Sequence, residues 1–135
     1  MSGERYPVLW IGQVSVVTLP AEIDVTNADA TREELFAVLN QGAAMLVADM
    51  SKTVFCDSSG VSALVRVFRH AATCGAAIRL VVCTPAVQRV LSITGVDRLV
   101  DVYPSVAASL AGPSGQANPA WPDGATAKAD TDGGA

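Results

Sequence analysis

Two hydroxyl groups and a carboxylate stand together in the segment Asp57–Gly60, directly before a run of residues with helical spacing. The first four backbone N–H groups of a helix lack partners within the helix, and the aligned peptide dipoles place about half a positive charge there. A phosphate on Ser58 would add about −1.5 to −2 charges at this position and would be stabilised by about 0.3 to 2 kcal/mol. Asp and Ser are also ordinary N-cap residues, and these four residues alone are more typical of a plain helix cap than of a modification site.

A stripe of polar side chains continues along the predicted helix from that segment. Its members lie three or four residues apart and therefore share one face: Ser59, Ser62, Arg66, Arg69 and Thr73. Such a stripe is usually a solvated face, but it is also a surface on which a partner could recognise the state of the hydroxyl group at its upper end. Two more carboxylates, Glu22 and Asp24, precede an earlier predicted helix, where they are more typical of a turn into the helix than of a site.

Changes in hydrophobic period mark the elements that position these residues. Two short β-branched runs on either side of Gly12-Gln13 predict an antiparallel hairpin near the N-terminus. Thr26 or Asn27 is a candidate N-cap for a first helix that ends near Gly42. The later elements alternate, with strands predicted at 44–50, 78–83 and 99–102 and helices predicted after Asp57–Gly60 up to Gly75, from Thr84-Pro85 to Gly95, and at 104–110.

This order of elements predicts an α/β fold. We expect a single domain at residues 1–111, with a mixed, mostly parallel sheet opened by the N-terminal hairpin and about four helices packed on it. Residues 112–135 differ sharply in composition, since they hold five Gly, three Pro and six Ala and lack Val, Ile, Leu, Met and Phe. Such a segment cannot bury enough apolar surface to offset the entropy of ordering it, so a disordered C-terminal tail is predicted.

Composition and charge exclude several kinds of partner. The 135 residues carry 13 acidic and 9 basic side chains, a net charge of −4, and no cluster of Lys and Arg suited to a phosphate backbone, so we expect no direct contact with nucleic acid. No apolar run reaches the roughly 18 residues that span a bilayer, so we expect a cytoplasmic protein without membrane insertion. The three cysteines, Cys56, Cys74 and Cys83, are never spaced as C-x-x-C and lie in apolar surroundings, which predicts buried, unreactive thiols and no metal site.

The sequence gives no support to a catalytic function. Ser58 on a strand-to-helix turn, with Gly60 two positions later, matches half of the nucleophile elbow of hydrolases. The other half is missing at Cys56, and the single histidine, His70, would lie about 18 Å along the same helix, too far to take a proton from Ser58. The acidic pair and lysine of a receiver domain and the glycine-rich motifs of nucleotide-binding enzymes are also missing. We therefore expect no enzymatic activity and no cofactor.

Four segments in a fixed order resemble a known family. They are Glu22–Asp24 with the helix and strand behind it, the loop Phe55–Val61, the segment Val82–Leu91, and Thr94-Gly95. Together they resemble the STAS domain, and more narrowly the bacterial anti-sigma factor antagonists, over residues 8–111. One departure is visible, because the family often has Thr-Gly-Glu where this chain has Pro20-Ala21-Glu22.

The resemblance implies a protein that binds an anti-sigma factor of the serine kinase type and displaces its sigma factor. It further implies that the kinase phosphorylates Ser58, which ends the interaction, and that a serine phosphatase restores the unmodified form. Asp57 is then the acid before the phosphoacceptor, and Asp24 is a carboxylate expected close to the loop. The expected partner-binding residues are Asp24, Asp57, Ser59, Gly60, Ser62, Arg66 and Arg69. We expect a monomer or a weak homodimer.

An alternative within the same family stays open. STAS domains also serve as sensory or scaffolding modules of larger signalling assemblies, or as partners of membrane transporters, without phosphorylation of a serine. On that alternative, the chain stays unmodified when a cognate kinase and ATP are present.

Overall fold

The computed structural model describes residues 6–112 as seven strands, four α-helices and one short 3₁₀ helix. The strands are β1 (Val8–Ile11), β2 (Val14–Thr18), β3 (Glu22–Ile23), β4 (Met45–Met50), β5 (Phe55–Cys56), β6 (Ala77–Val82) and β7 (Asp101–Tyr103). The helices are α1 (Ala28–Asn40), α2 (Ser58–Cys74), α3 (Pro85–Thr94) and α4 (Val106–Ala111), with the 3₁₀ helix at Val96–Arg98. Residues 113–135, on which most of the predicted disordered tail falls, lie outside the described residues.

Five of the strands form a mixed sheet in the order β1-β2-β4-β6-β7. β1 pairs antiparallel with β2, and a tight turn at Gly12-Gln13 joins them. Gly12 has φ 61°, which glycine adopts without steric cost. The remaining pairs in this sheet are parallel. The predicted α/β fold, with an N-terminal hairpin, a mostly parallel sheet and four helices, is confirmed.

The core lies on both faces of this sheet. Helices α1, α2 and α3 cover one face, and the fully buried side chains there include Leu35, Leu46, Phe68, Leu80 and Leu91. The opposite face carries a smaller cluster, Val16, Met45, Val47 and Val81, against which Val106 of α4 packs. Strand β4 is therefore covered on both faces, as its almost continuous apolar sequence predicts. Within residues 6–112, no helix combines the length and the apolar composition that crossing a bilayer requires.

Arg79 attaches α4 to the second face of the sheet. Its side chain lies almost fully buried in β6, and its guanidinium donates a hydrogen bond to the carbonyl oxygen of Ser109 in α4. The guanidinium carbon also lies 5.4 Å from the centre of the Tyr103 ring in β7. A buried charge is tolerated only where hydrogen bonds and packing compensate for its desolvation. Arg79 therefore ties α4 to β6 and β7.

The change Arg79→Met keeps much of the side-chain volume but removes the donor to α4. We expect it to lower the free energy of unfolding by about 1.5 to 3 kcal/mol, the usual contribution of a hydrogen bond made by a charged group. Urea denaturation followed by circular dichroism measures this change. Arg89→Met, at an exposed position of α3, is the matched control and should change the free energy of unfolding by less than about 0.5 kcal/mol. Equal losses in the two variants would contradict the role assigned to Arg79.

Two strands and the 3₁₀ helix were not predicted from the sequence. β3 and β5 form a separate two-stranded parallel sheet, in which Glu22 pairs with Phe55 and Ile23 pairs with Cys56. Strands of two residues are too short to show a period of two, so the segment around Glu22 resembles a simple turn. The small sheet matters for function because it connects the two segments that carry the candidate site.

The prediction of buried cysteines is correct for Cys56 and wrong for the other two. Cys56 is buried, whereas Cys74 and Cys83 are exposed. Cys74 is the last residue of α2, and Cys83 follows the last residue of β6. Both therefore lie where the chain leaves the core, although their sequence neighbours are apolar.

Candidate functional site

Asp57 sets the geometry at the start of α2. It is the N-cap residue, and its Oδ1 accepts hydrogen bonds from the N–H groups of Ser59 and Gly60 at 2.9 and 3.1 Å. Its carbonyl oxygen accepts the first helical hydrogen bond, from the N–H of Val61 at 3.0 Å. The segment is thus a true helix cap. Ser58 is the first residue of the helix, and it is exposed.

The start of α2 is not an empty anion site, because the Asp57 carboxylate already occupies two of its amide groups. A phosphate on Ser58 would share the positive end of the helix dipole with this carboxylate, and the two anions would repel each other. We therefore expect the helix dipole to stabilise the phosphate by a free energy near the lower end of the range of about 0.3 to 2 kcal/mol. The new charge would stay on the surface, where it alters binding more than folding.

The small sheet brings Asp24 to the same place. β3 and β5 run parallel, and the N–H of Asp57 donates to the carbonyl oxygen of Ile23 at 3.1 Å. Asp24 follows Ile23 just as Asp57 follows Cys56, so the two aspartates are backbone neighbours at one end of the small sheet. Asp24 consequently lies beside the loop that carries Ser58.

Hydrogen bonds within its own turn hold Asp24 as an anion. Its Oδ1 accepts from the hydroxyl group of Thr26 at 2.5 Å and from the N–H of Thr26 at 2.9 Å. The hydroxyl bond first, and the amide bond second, lower the pKa of the Asp24 carboxyl below its ordinary value. A phosphate on Ser58 would therefore enter a neighbourhood that already holds two carboxylates.

Gly60 allows α2 to approach the small sheet closely. It is buried, and a Cβ at this position would lie 2.6 Å from the Sγ of Cys56 and 2.9 Å from the Cγ2 of Ile23. Both distances are shorter than side-chain contacts allow, so only glycine fits here without a shift of β3 or β5. Gly60 thus lies beneath the surface, apart from the other residues of the expected partner-binding set.

We expect Gly60→Ala to lower the free energy of unfolding by about 1 to 3 kcal/mol, because the added methyl group overpacks the contact with β3 and β5. Ser62→Ala, at an exposed position of the same helix, is the matched control and should be neutral or slightly stabilising. Chemical denaturation of the two variants beside the wild type gives both differences. If Gly60→Ala were as stable as Ser62→Ala, the close approach would not constrain this loop.

The polar stripe of α2 borders a groove against α1. One part of the groove has a volume of about 280 Å³ and is lined by Val25, Arg32, Ser59, Ser62 and Arg66, among others. The adjoining part has a volume of about 470 Å³, and its lining includes Arg32, Phe36, Arg66, Arg69 and His70. Since Arg32 and Arg66 border both parts, we call them together the α1–α2 groove. The groove unites four of the expected partner-binding residues: Ser59, Ser62, Arg66 and Arg69.

The α1–α2 groove has a small excess of positive charge, because its lining holds three arginines and the two carboxylates of Asp29 and Glu33, whereas the whole chain has a net charge of −4. Arg66 and Arg69 are exposed, and no ion pair is found for either within residues 6–112. Arg32 lies 3.9 Å from Asp29 and 3.9 Å from Glu33, which partly offsets its charge. This arrangement suits a partner with an acidic surface.

Three exposed apolar side chains near Ser58 were not predicted as part of the site. Val25, Val54 and Phe55 are 76%, 55% and 49% exposed. Val25 follows β3 and Asp24, while Val54 and Phe55 lie before and within β5. Apolar side chains exposed beside a polar site are typical of a surface that binds another protein. The sequence does not show whether apolar residues next to a motif face the core or the solvent, so only the structure reveals this patch.

Within the described residues, the histidine that a serine nucleophile would require does not lie beside Ser58. Ser58 begins α2, while His70 lies far along the same helix and stacks on Phe36, with ring centres 4.3 Å apart. Burial, and secondarily the charge of Asp57, raises the pKa of the Cys56 thiol to about 11, so this thiol stays protonated at neutral pH. Within residues 6–112, no group of three or more His, Cys, Asp or Glu side chains is placed to hold a metal ion.

Comparison with known proteins identifies the family. The sequence model of the STAS domain matches residues 8–109, which include the hairpin, the Ser58 loop and most of α4. The chain belongs to the STAS domain family. Its similarity to two small proteins extends over about nine-tenths of their length.

Two of these similar proteins are named for control of sigma factors. The chain is 26% identical over 106 residues to a protein of Thermotoga neapolitana named as a candidate anti-sigma factor antagonist, with 78% of this chain and 94% of that protein covered. It matches the crystal structure of an anti-sigma factor antagonist from Mycobacterium paratuberculosis with a TM-score of 0.72 and 28% identity, covering 78% of this chain and 89% of that one.

A third similar structure belongs to a different kind of protein. This STAS domain matches a murine anion transporter of solute carrier family 26 with a TM-score of 0.63 and 25% identity. The match covers 74% of this chain but only 17% of the transporter. The same fold therefore occurs both as a small protein and within a much larger one.

Proposed function

We propose that this STAS domain is an anti-sigma factor antagonist, which binds an anti-sigma factor of the serine kinase type in the cytoplasm and so releases a sigma factor. The observation that carries the proposal is the exposed Ser58 at the first position of α2. Membership of the STAS family and the similarity to proteins named as anti-sigma factor antagonists support it.

The surface around unmodified Ser58 suits the binding of another protein. Val54 and Phe55 offer exposed apolar area in the segment before Ser58, and Val25 offers more beside Asp24. The α1–α2 groove, which Val25 also lines, offers hydroxyl groups and guanidinium groups. A partner that covers both areas would bury the neutral Ser58 hydroxyl between them. Such an arrangement combines exposed apolar area with hydroxyl and guanidinium groups, as protein interfaces do.

Phosphorylation of Ser58 would end this interaction. The Ser58 oxygen would accept the γ-phosphoryl group of ATP bound to the kinase partner, with release of ADP and the hydroxyl proton, and a serine phosphatase would later hydrolyse the ester to serine and inorganic phosphate. A dianion forced into an interface built for a neutral hydroxyl costs about 2 to 5 kcal/mol, which is roughly 30- to 3,000-fold in affinity. The carboxylates of Asp24 and Asp57 increase the repulsion because they already make the loop acidic.

We expect Ser58→Asp to weaken binding to the purified kinase partner at least roughly 30-fold, whereas Ser58→Ala should bind about as tightly as the wild type. The partner is first isolated with a Ser58→Ala bait, and isothermal titration calorimetry then gives the affinities. Ser92→Asp, at an exposed position of α3, is the matched control for an added charge and should not change the affinity. Unaltered affinity of Ser58→Asp would contradict the proposal.

A second candidate function is a scaffold or sensor module without phosphorylation, favoured by the occurrence of the same fold within a large transporter. Incubation of the chain with the purified kinase and ATP, followed by mass spectrometry, separates the two functions. A single phosphate on Ser58 supports the antagonist. A chain that remains unmodified, while the kinase phosphorylates a known substrate in parallel, supports the scaffold.

A further inference from the structure

The outer edge of β1 is apolar and uncovered among the described residues. β1 is the first strand in the sheet order and pairs with β2 alone. Its four side chains, Val8, Leu9, Trp10 and Ile11, are 38%, 57%, 39% and 48% exposed. Successive side chains of a strand point to opposite faces, so Val8 and Trp10 lie on one face of the sheet and Leu9 and Ile11 on the other. Both faces therefore end in exposed apolar residues at this edge.

The opposite edge of the sheet differs in this respect. β7 has three residues and begins with the exposed carboxylate of Asp101, a common protection of a free strand edge. The β1 hairpin lacks such protection, because no Asp, Glu, Lys or Arg occurs at residues 6–21. A free edge with large apolar side chains and no charge is a template for pairing with another strand.

The register of the hairpin shows which backbone groups of β1 are available. The N–H of Thr18 donates to the carbonyl oxygen of Pro7 at 2.9 Å, so this is a hydrogen-bonded pair of the antiparallel ladder. Hydrogen-bonded and non-hydrogen-bonded pairs alternate along such a ladder. Leu9 and Ile11 therefore direct their N–H and C=O groups toward β2, and Val8 and Trp10 direct theirs away from the sheet.

We propose that a second copy of this chain pairs with this edge, with β1 antiparallel to β1 about a two-fold axis that passes beside Leu9. Val8 of each copy then lies opposite Trp10 of the other, and the outward N–H and C=O groups of the two residues form two hydrogen bonds at each pair. Leu9 lies opposite Leu9 as a non-hydrogen-bonded pair, with Cα atoms about 4.5 Å apart. The two sheets join into one continuous sheet of ten strands.

A second copy suits this edge better than a segment lying on the sheet. An identical strand supplies apolar side chains to both faces at once, whereas a segment lying on one face would cover two of the four exposed residues. The two hairpins carry no charge and do not repel each other. Only a four-residue strand takes part, so the contact falls short of the roughly 800 Å² per partner of a stable complex, and we expect a weak dimer with a Kd of roughly 10 μM to 1 mM. The proposal uses no residue of the Ser58 loop and does not rest on the proposed function.

Sedimentation equilibrium of the full chain tests the pairing at concentrations from about 5 μM to 1 mM. The wild type should show a reversible equilibrium between monomer and dimer. Leu9→Lys and Leu9→Glu each place two like charges opposite one another, and each should raise the Kd at least about tenfold. An equal mixture of the two variants should restore the dimer, because Lys then lies opposite Glu. Ile93→Lys, at a 73% exposed position of α3, is the matched control and should leave the Kd unchanged.

A wild-type chain that stays monomeric over this range would overturn the proposal. A dimer that persists in both Leu9 variants would also overturn it, because the contact would then lie on another surface. A dimer that is lost in Ile93→Lys, or on deletion of residues 113–135 alone, would overturn it for the same reason. Circular dichroism and thermal melting verify that the Leu9 variants are folded. We expect them to fold because the Leu9 side chain is exposed. If they were unfolded, Trp10→Lys would take their place, with the same expected rise in Kd.

Discussion

The hydrogen bonds that the amides of Ser59 and Gly60 donate to the Asp57 carboxylate are the interaction on which the candidate site depends. They fix the residue at which α2 begins, and this makes Ser58 the first residue of the helix, on the surface. The same helix start directs Ser59, Ser62 and the two arginines of α2 into the groove against α1. Gly60 adds a second constraint, because its missing side chain lets the helix start rest against β3 and β5. Both contacts constrain the backbone of the loop around Ser58.

On the proposed function, the charges around this loop lead us to expect that one phosphate on Ser58 has a large effect on binding and a small effect on folding. Two carboxylates, Asp24 and Asp57, flank the loop on the small sheet, while Arg66 and Arg69 lie further along α2. A partner complementary to the arginines carries acidic side chains where it covers the groove. A phosphate on Ser58 would repel these acidic side chains, and it would also repel the two aspartates. The phosphate itself would remain in water when the partner has left.

The main sheet and its helices are predictable from the sequence because each of these elements has a distinct pattern. The hairpin has β-branched runs around Gly12-Gln13, β4 is almost entirely apolar, and α2 combines an apolar stripe with a capping residue and a C-terminal glycine. The segments β3 and β5 have no such pattern, since two residues cannot show a period. Their pairing is a contact between distant parts of the chain, so only the folded structure reveals that Asp24 and Asp57 are neighbours.

Exposure is the other property that the sequence does not specify. Val54 and Phe55 are as apolar as the core strands, yet they lie on the surface because β5 is a short strand outside the main sheet. Cys74 and Cys83 have apolar sequence neighbours, but each lies at the end of an element, where the chain turns outward. The hydroxyl and guanidinium groups of α2 are predictable from their spacing, whereas the groove that they line depends on the position of α1.

The central claim is that phosphorylation of Ser58 changes the surface of the domain and leaves its fold unchanged. Heteronuclear NMR of the chain before and after phosphorylation of Ser58 by the purified kinase tests this most directly, since every backbone amide reports on its own surroundings. We expect large chemical-shift changes for amides at residues 22–29 and 54–66, and unchanged shifts for the amides of β4 and β6. Large changes throughout β4 and β6, or none around Ser58, would contradict the claim.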